Sequence, residues 1–255
     1  MIILLSPAKT LNFDIEPQTD NFSQPDFTSE AETIVNVLRK YSPARLQKLM
    51  RINPNLAELN ASRYLEWHLP FTPDNARQAL LVFKGEVYNG LKAETLTESD
   101  LLFAQDHMRI LSGLYGALRP LDLMQPYRLE MGTSLKVNRK KDLYQFWGDK
   151  LTGHLNELLE GTDQKYIINL ASDEYFNAID PGKLNAEIIK PVFKDYSNGT
   201  YKFITVYGKK ARGMMARFII KNRIEKAEKM KLFDEEGYYY NDQLTSGNTW
   251  LFTRG

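Results

Sequence analysis

Cysteine is absent from the 255 residues, which excludes disulfides, thiolate metal sites, cysteine-held iron–sulfur clusters and thiol redox chemistry. Histidine is scarce: His68, His107 and His154 stand far apart and form no paired-ligand motif, and the Glu-x-x-His pattern of ferritin-like carboxylate sites is missing. No metal and no cofactor are therefore expected. Walker A and G-x-G-x-x-G phosphate loops are also missing. An excess of one charge is lacking too, since Lys+Arg 33 against Asp+Glu 32 leaves a net charge of +1. Any affinity for nucleic acid must come from local patches. No apolar run approaches the roughly 20 residues of a membrane span, and Ile2–Leu5 has neither the basic lead nor the length of a signal peptide. A chain free of the membrane, located in the cytoplasm, is expected.

Hydrophobic residues at 43% and charged residues at 25% are ordinary for a globular domain. The size suits a single domain over 1–255, without linker, repeat or low-complexity tract. Ile2–Leu5, Tyr166–Leu170, Ile188–Phe193 and Tyr201–Tyr207 read as strands. Ser197-Asn198-Gly199 is a hairpin turn, and Tyr238–Tyr240 with Thr249–Phe252 suggests another. Helices are punctuated at Ser29–Glu32, Ser42-Pro43, Thr72-Pro73 and Thr97–Asp100, the last carrying an apolar face of Leu101, Ala104, Met108 and Leu111. A long helix is expected from Asp142 to Leu159 and another from near Lys209 past Lys221. The fold class that follows is α+β: a mixed sheet flanked by helices, without regular doubly wound alternation.

Ser6-Pro7-Ala8-Lys9 follows the first strand and combines hydroxyl, ammonium and backbone N–H groups suited to an anion. Its Ser-x-x-Lys spacing also fits an acyl-transfer nucleophile, although the companion motifs are missing. Ser172-Asp173-Glu174-Tyr175 follows another strand; Ser172 is equally a natural helix cap. Ser6, Ser172, Glu174 and Tyr175 are the candidates for catalysis. Between Leu111 and Gly132, closely spaced Gly and Pro mark an irregular loop carrying Arg119 and Arg128, two planar forks for phosphate or carboxylate unless Asp122 and Glu130 pair with them. The strongest signal is Tyr196–Ile224, 29 residues without Asp or Glu. It holds Lys202, Lys209, Lys210, Arg212, Arg217, Lys221 and Arg223, and on a helix its cations flank an apolar arc of Ala211, Met214, Met215 and Phe218. Residues 42–66 read as two short helices around Ile52-Asn53-Pro54-Asn55, a helix–hairpin–helix-like module decorated by Arg45, Lys48 and Arg51.

Ser6–Leu11, Phe83–Tyr88, Leu111–Gly132, Asp142–Gly148, Asn169–Tyr175 and Lys209–Gly213 together resemble the YaaA family of bacterial peroxide-stress proteins. The resemblance extends over nearly the whole chain. It implies a cytosolic protein that protects cells during peroxide stress and limits reactive iron. It also implies DNA binding, a mixed α/β fold with a helix–hairpin–helix-like element, and a basic cleft drawing on Lys9, Arg119, Arg128, Lys209, Lys210 and Arg212. The turn departs from DNA-binding hairpins by offering Asn53 and Pro54 where glycine N–H groups would meet phosphate, which shifts the weight to the cleft. Two functions follow as expectations. One is largely sequence-independent DNA binding through backbone phosphates, including distorted or junction forms. The other is an enzyme acting on a small anionic, phosphorylated ligand in the same cleft.

Overall fold

The computed structural model describes residues 1–162 and 165–255. Its centre is β1 (Ile2–Leu5), buried at every position. The neighbours on either side, β5 (Met108–Ser112) and β8 (Tyr166–Asn169), both run parallel to it. Parallel strands covered on both faces need apolar residues at every position rather than at alternate ones, which is why Ile-Ile-Leu-Leu suits this place. Beyond β8 the sheet continues in parallel with β9 (Glu187–Ser197) and β12 (Thr249–Arg254). Antiparallel strands complete it: β6 (Gly116–Leu118) beside β5, β11 (Tyr239–Tyr240) beside β12, and β10 (Thr200–Lys202) beside β9. The order is β11-β12-β9-β8-β1-β5-β6, a mostly parallel sheet flanked by helices. Asn198 and Gly199 both take positive φ, as the tight turn between β9 and β10 requires.

Four sequence expectations are corrected here. Ser29–Glu32 is not a capping box: the first helix has already begun at Thr28, and the Ser29 hydroxyl donates to the Glu30 carboxylate at 2.8 Å. Met108–Ser112 is not the end of a helix: α6 (Glu98–His107) stops before it. All five residues of β5 are buried between β1 and β6, so a long-range pairing overrides the helical spacing of Met108 and Leu111. Tyr201–Tyr207 is not one strand. Pairing ends at Lys202, and α9 (Thr205–Lys221) has already begun. Thr72-Pro73 opens a turn and not a helix, because the Asn75 side chain accepts the Thr72 N–H at 2.9 Å and donates to the Pro70 carbonyl at 3.0 Å.

On the helical layers, α1 (Thr28–Leu38) buries Ala31, Ile34, Val35 and Leu38. Residues 42–66 form α2 (Pro43–Met50) and α3 (Pro54–Glu66), which pack on each other. Ser42 caps α2 and Asn53 caps α3, Asn53 Oδ1 accepting the Leu56 N–H at 2.9 Å. Arg51, at φ 52, turns the chain between them. Short pieces tie the loops down: β2 (Thr10–Leu11) pairs with β4 (Phe83–Lys84), and β3 (Arg77–Gln78) pairs with β7 (Leu123–Met124). The one-turn α4 (Ala79–Val82) joins β3 to β4 and is wholly buried. The long α7 (Leu143–Leu158) lays Leu143, Phe146, Trp147, Leu151 and Leu155 inward. The short α8 (Asp173–Phe176) follows β8.

The closest helix contact joins α5 (Glu86–Leu91) to α9 through glycines. A Cβ on Gly213 would lie 1.7 Å from the Val87 carbonyl oxygen, and one on Gly90 would lie 2.0 Å from that of Lys210. Backbone touches backbone there, which only glycine permits. The junction fixes the basic helix relative to the sheet, because the Tyr88 hydroxyl on α5 donates to the Ser6 carbonyl at 3.0 Å. No described helix is long and apolar enough to cross a membrane. Among the described residues no group of three or more His, Asp or Glu is placed to hold a metal ion.

Candidate functional site

Because β1 and β8 are parallel neighbours, with Leu4 opposite Asn169, the residues that follow them meet at the same sheet edge. Ser6 Oγ accepts the Ser172 N–H at 2.8 Å and donates to Ser172 Oγ at 3.2 Å. This clasp joins two loops 166 residues apart in sequence. The hydroxyl is thus bound to another hydroxyl rather than to a base. Lys9, the partner an acyl-transfer pair would need, instead places its ammonium 2.7 Å from Glu130.

The loop after β7 completes this edge. Glu130 also takes Arg128 at 3.2 Å, so two cations share one carboxylate. Arg128 Nε is buried and has no hydrogen-bond partner among the described residues. Arg63, on α3, adds a third cation: burial holds its guanidinium below the ordinary value, and the like charge of Arg128 acts in the same direction. Gly132 N–H donates to Glu174 Oε1 at 3.1 Å, and the Tyr144 hydroxyl donates to the Glu174 carbonyl at 3.0 Å. Tyr127 and Tyr175 are buried, and burial pushes both phenols well above their ordinary values. Pro7, Lys9, Tyr127, Arg128, Glu130 and Tyr175 line a small pocket open to solvent, with a volume of about 10 Å³, room for little more than one water. Ser6, Lys9, Arg128, Ser172, Glu174 and Tyr175 are therefore gathered at one edge, as neighbouring strands dictate. The pairing of Arg128 with Glu130 is the alternative the sequence offered, whereas Arg63 and the second partner of Glu130, Lys9, left no signal, since contacts between distant segments carry no period.

Arg119 stands apart. Strand β6 runs back against β5, away from this edge, and Arg119 follows its end. There its Nε lies 3.0 Å from Asp122, its NH2 lies 3.2 Å from Asp26, and it donates to the Gln24 carbonyl at 2.6 Å. Asp122 is fully buried, and burial pushes its carboxyl up to about 6 despite hydrogen bonds from Ser23 and Arg119. Arg119 thus ties the segment before α1 to the sheet.

The cations of α9 divide by their partners. Lys210 lies 2.6 Å from Glu236, itself in the left-handed region at φ 49. Arg217 donates to the Leu91 and Lys92 carbonyls at 3.2 Å and so caps the C-terminus of α5. Lys221 and Arg223 both lie 2.9 Å from Asp100. Burial would raise the Asp100 carboxyl, but the Lys221 hydrogen bond, helped by Thr97 and Arg223, holds it well below the usual carboxylate range. Three cations of the acid-free run, Lys210, Lys221 and Arg223, are thus neutralised by acids from elsewhere in the chain. Lys202, Lys209 and Arg212 are different: no carboxylate of the described residues lies within 4.0 Å of their charged groups. Arg212 is part-buried and lies 6.0 Å from the Phe203 ring centroid. Burial holds its guanidinium below the ordinary value, while the Asp173 charge acts the other way.

The segment that carries these unpaired cations is also rich in exposed apolar rings. Tyr196 is 55% exposed, Phe203 47% and Tyr207 46%, with Val206 at 54% between them. Gly208 lets the Phe203 ring lie against α9, for a Cβ there would come within 2.4 Å of it. The sequence pattern hides this exposure, because it reads as a strand through Tyr207. On α2, Arg45 stacks 3.7 Å above the Tyr41 ring, and Arg45, Lys48 and Arg51 are exposed and likewise outside any ion pair of the described residues. The model of the family described as peroxide stress protein YaaA matches residues 1–244.

Proposed function

The chain belongs to the YaaA family of peroxide stress proteins, and from that premise we propose that it is a cytoplasmic protein that binds DNA by its backbone phosphates. The contact surface is the β9–β10 hairpin with the N-terminal half of α9, and the exposed face of α2 gives a second contact. One observation carries the reading: Lys202, Lys209 and Arg212 have no carboxylate within 4.0 Å among the described residues, and the same hairpin and helix carry the exposed rings of Tyr196, Phe203 and Tyr207. Cations outside any ion pair are free to replace counterions on a phosphate chain. Helix α9 has no acidic residue in its first turn and no side-chain cap, so its N–H groups and positive dipole end add to the same field. Exposed rings beside cations are also the means by which proteins engage unstacked bases. Recognition of this kind positions the protein on the polymer without reading its sequence.

Amine-reactive labelling of the full chain with and without duplex DNA, read by mass spectrometry, tests this. Lys202, Lys209 and Lys48 lose reactivity when DNA is present, whereas Lys150 and Lys183 on α7 and after α8 keep theirs. Equal labelling in both samples at concentrations where DNA is bound removes the proposed surface.

A further inference from the structure

We propose that Lys9 and Arg128 form a binding site for a phosphate monoester, which the Glu130 carboxylate fills as an internal substitute. The two oxygens of Glu130 are divided between the cations, one 2.7 Å from Lys9 Nζ and the other 3.2 Å from Arg128. Arg128 uses only one arm of its fork on this acid, and the buried Nε on the same edge is left without a partner. A guanidinium edge is built for two parallel acceptors. Glu130 lies two residues along the same chain and leaves that edge half used; a tetrahedral phosphoryl group brings a third oxygen and a further negative charge.

The surroundings fit a switch of occupants. Leu129 and Met131 are buried on either side of Glu130, which is itself only part-buried, so the acid can swing out while the loop stays anchored. Tyr127 and Tyr175 wall the site with buried rings, which strengthens charge interactions inside it. It lies beyond the C-terminal end of β1, next to that of parallel β8, the edge at which open α/β sheets place their ligands. With Glu130 in place only about 10 Å³ is left between these side chains, so a phosphoryl group that reaches both Lys9 and Arg128 takes the position of the carboxylate. This site shares no residue with the free cations of α9 and stands independently of the DNA reading.

The test is calorimetric titration of the full-length protein with inorganic phosphate at constant ionic strength. Glu130→Gln keeps the side chain's size but removes the competing charge, and it binds phosphate about tenfold more tightly than wild type. The double variant Arg128→Gln/Glu130→Gln loses that binding. A parallel arm uses a trinucleotide with and without a 5′-phosphate, so that the arm showing the gain distinguishes a free phosphomonoester from a strand end. If Glu130→Gln binds neither probe more tightly than the double variant does, the proposal is overturned. Should that variant fail to fold, the melting temperature of wild type decides: phosphate raises it above an ionic-strength match in chloride, and Lys9→Ala abolishes the rise. An equal response to both salts in wild type overturns the site.

Discussion

Replacing Gly213 by alanine wedges α5 away from α9. The added methyl would sit 1.7 Å from the Val87 carbonyl oxygen and 2.8 Å from both the Val87 carbonyl carbon and the Leu91 nitrogen. All three are main-chain atoms, so no side chain can rotate aside, and the helices must separate by about 1.5 Å to restore van der Waals distance. Overpacking of this kind costs about 3 kcal/mol at the upper end of its usual range. Alanine recovers about 1 kcal/mol of helix propensity, leaving a net loss of about 2 kcal/mol. In a chain of this length that lowers the melting temperature by roughly 4–8 °C. Gly148, within α7, is the control, because a Cβ there meets nothing within 4 Å. The same substitution at Gly148 stabilises by about 0.5–1 kcal/mol. Thermal and urea denaturation followed by circular dichroism measures both. A Gly213→Ala protein as stable as wild type would refute the backbone contact and, with it, the placement of α9 against α5.

Three further outcomes follow from named contacts. Arg119→Ala strands the buried Asp122 carboxylate and costs about 3 kcal/mol in urea denaturation, while DNA affinity, measured where the variant is folded, stays that of wild type; a drop in affinity alone would return Arg119 to the binding surface. The carboxyl of Asp122, pushed up to about 6 by burial, makes a pH-dependent contribution. Its folded value lies above the ordinary 3.8, so the native state holds the proton more tightly. That stability is fully present below about pH 4, is lost as pH rises towards 6, and amounts to about 3 kcal/mol. Wild type minus Asp122→Asn, followed by denaturation from pH 4 to 7, shows the decline, and a flat difference would contradict it. Asn53→Ala removes the cap of α3 and costs about 1 kcal/mol; an unchanged denaturation midpoint would mean that the turn holds without it.

Local chemistry is legible in the sequence at several caps and turns, although not at Thr72-Pro73, where the Asn75 side chain makes a turn instead. Thr97 and Asp100 form the capping box their spacing announces, and the Asn198-Gly199 turn follows from the positive φ those residues tolerate. That the residues after β1 and β8 share an edge depends on the two strands being neighbours, and their parallel pairing supplies that condition. Strand β5 is hidden because Leu101, Ala104, Met108 and Leu111 keep a helical period across the real boundary at His107. Only its pairing with a strand a hundred residues earlier separates the two readings. The same limit governs charge. Tyr196–Ile224 contains no acid, yet Asp100 and Glu236 reach in from outside it and neutralise Lys210, Lys221 and Arg223. A run of sequence reports what a segment carries, whereas the fold decides what each charge meets.

On the proposed DNA surface, cations without carboxylate partners, rather than basic residues in general, hold the phosphate chain. The most direct measurement is the slope of log affinity against log salt for a DNA duplex with three full-length proteins. These are wild type, Lys202→Ala/Lys209→Ala/Arg212→Ala, and a control, Lys210→Ala/Lys221→Ala, which removes paired cations instead. Every phosphate that the protein no longer neutralises reduces the slope by about 0.9, so the first variant becomes shallower by about 2 to 3 while the control keeps the wild-type slope. Equal slopes in all three, or a shallower slope in the control alone, would contradict the account.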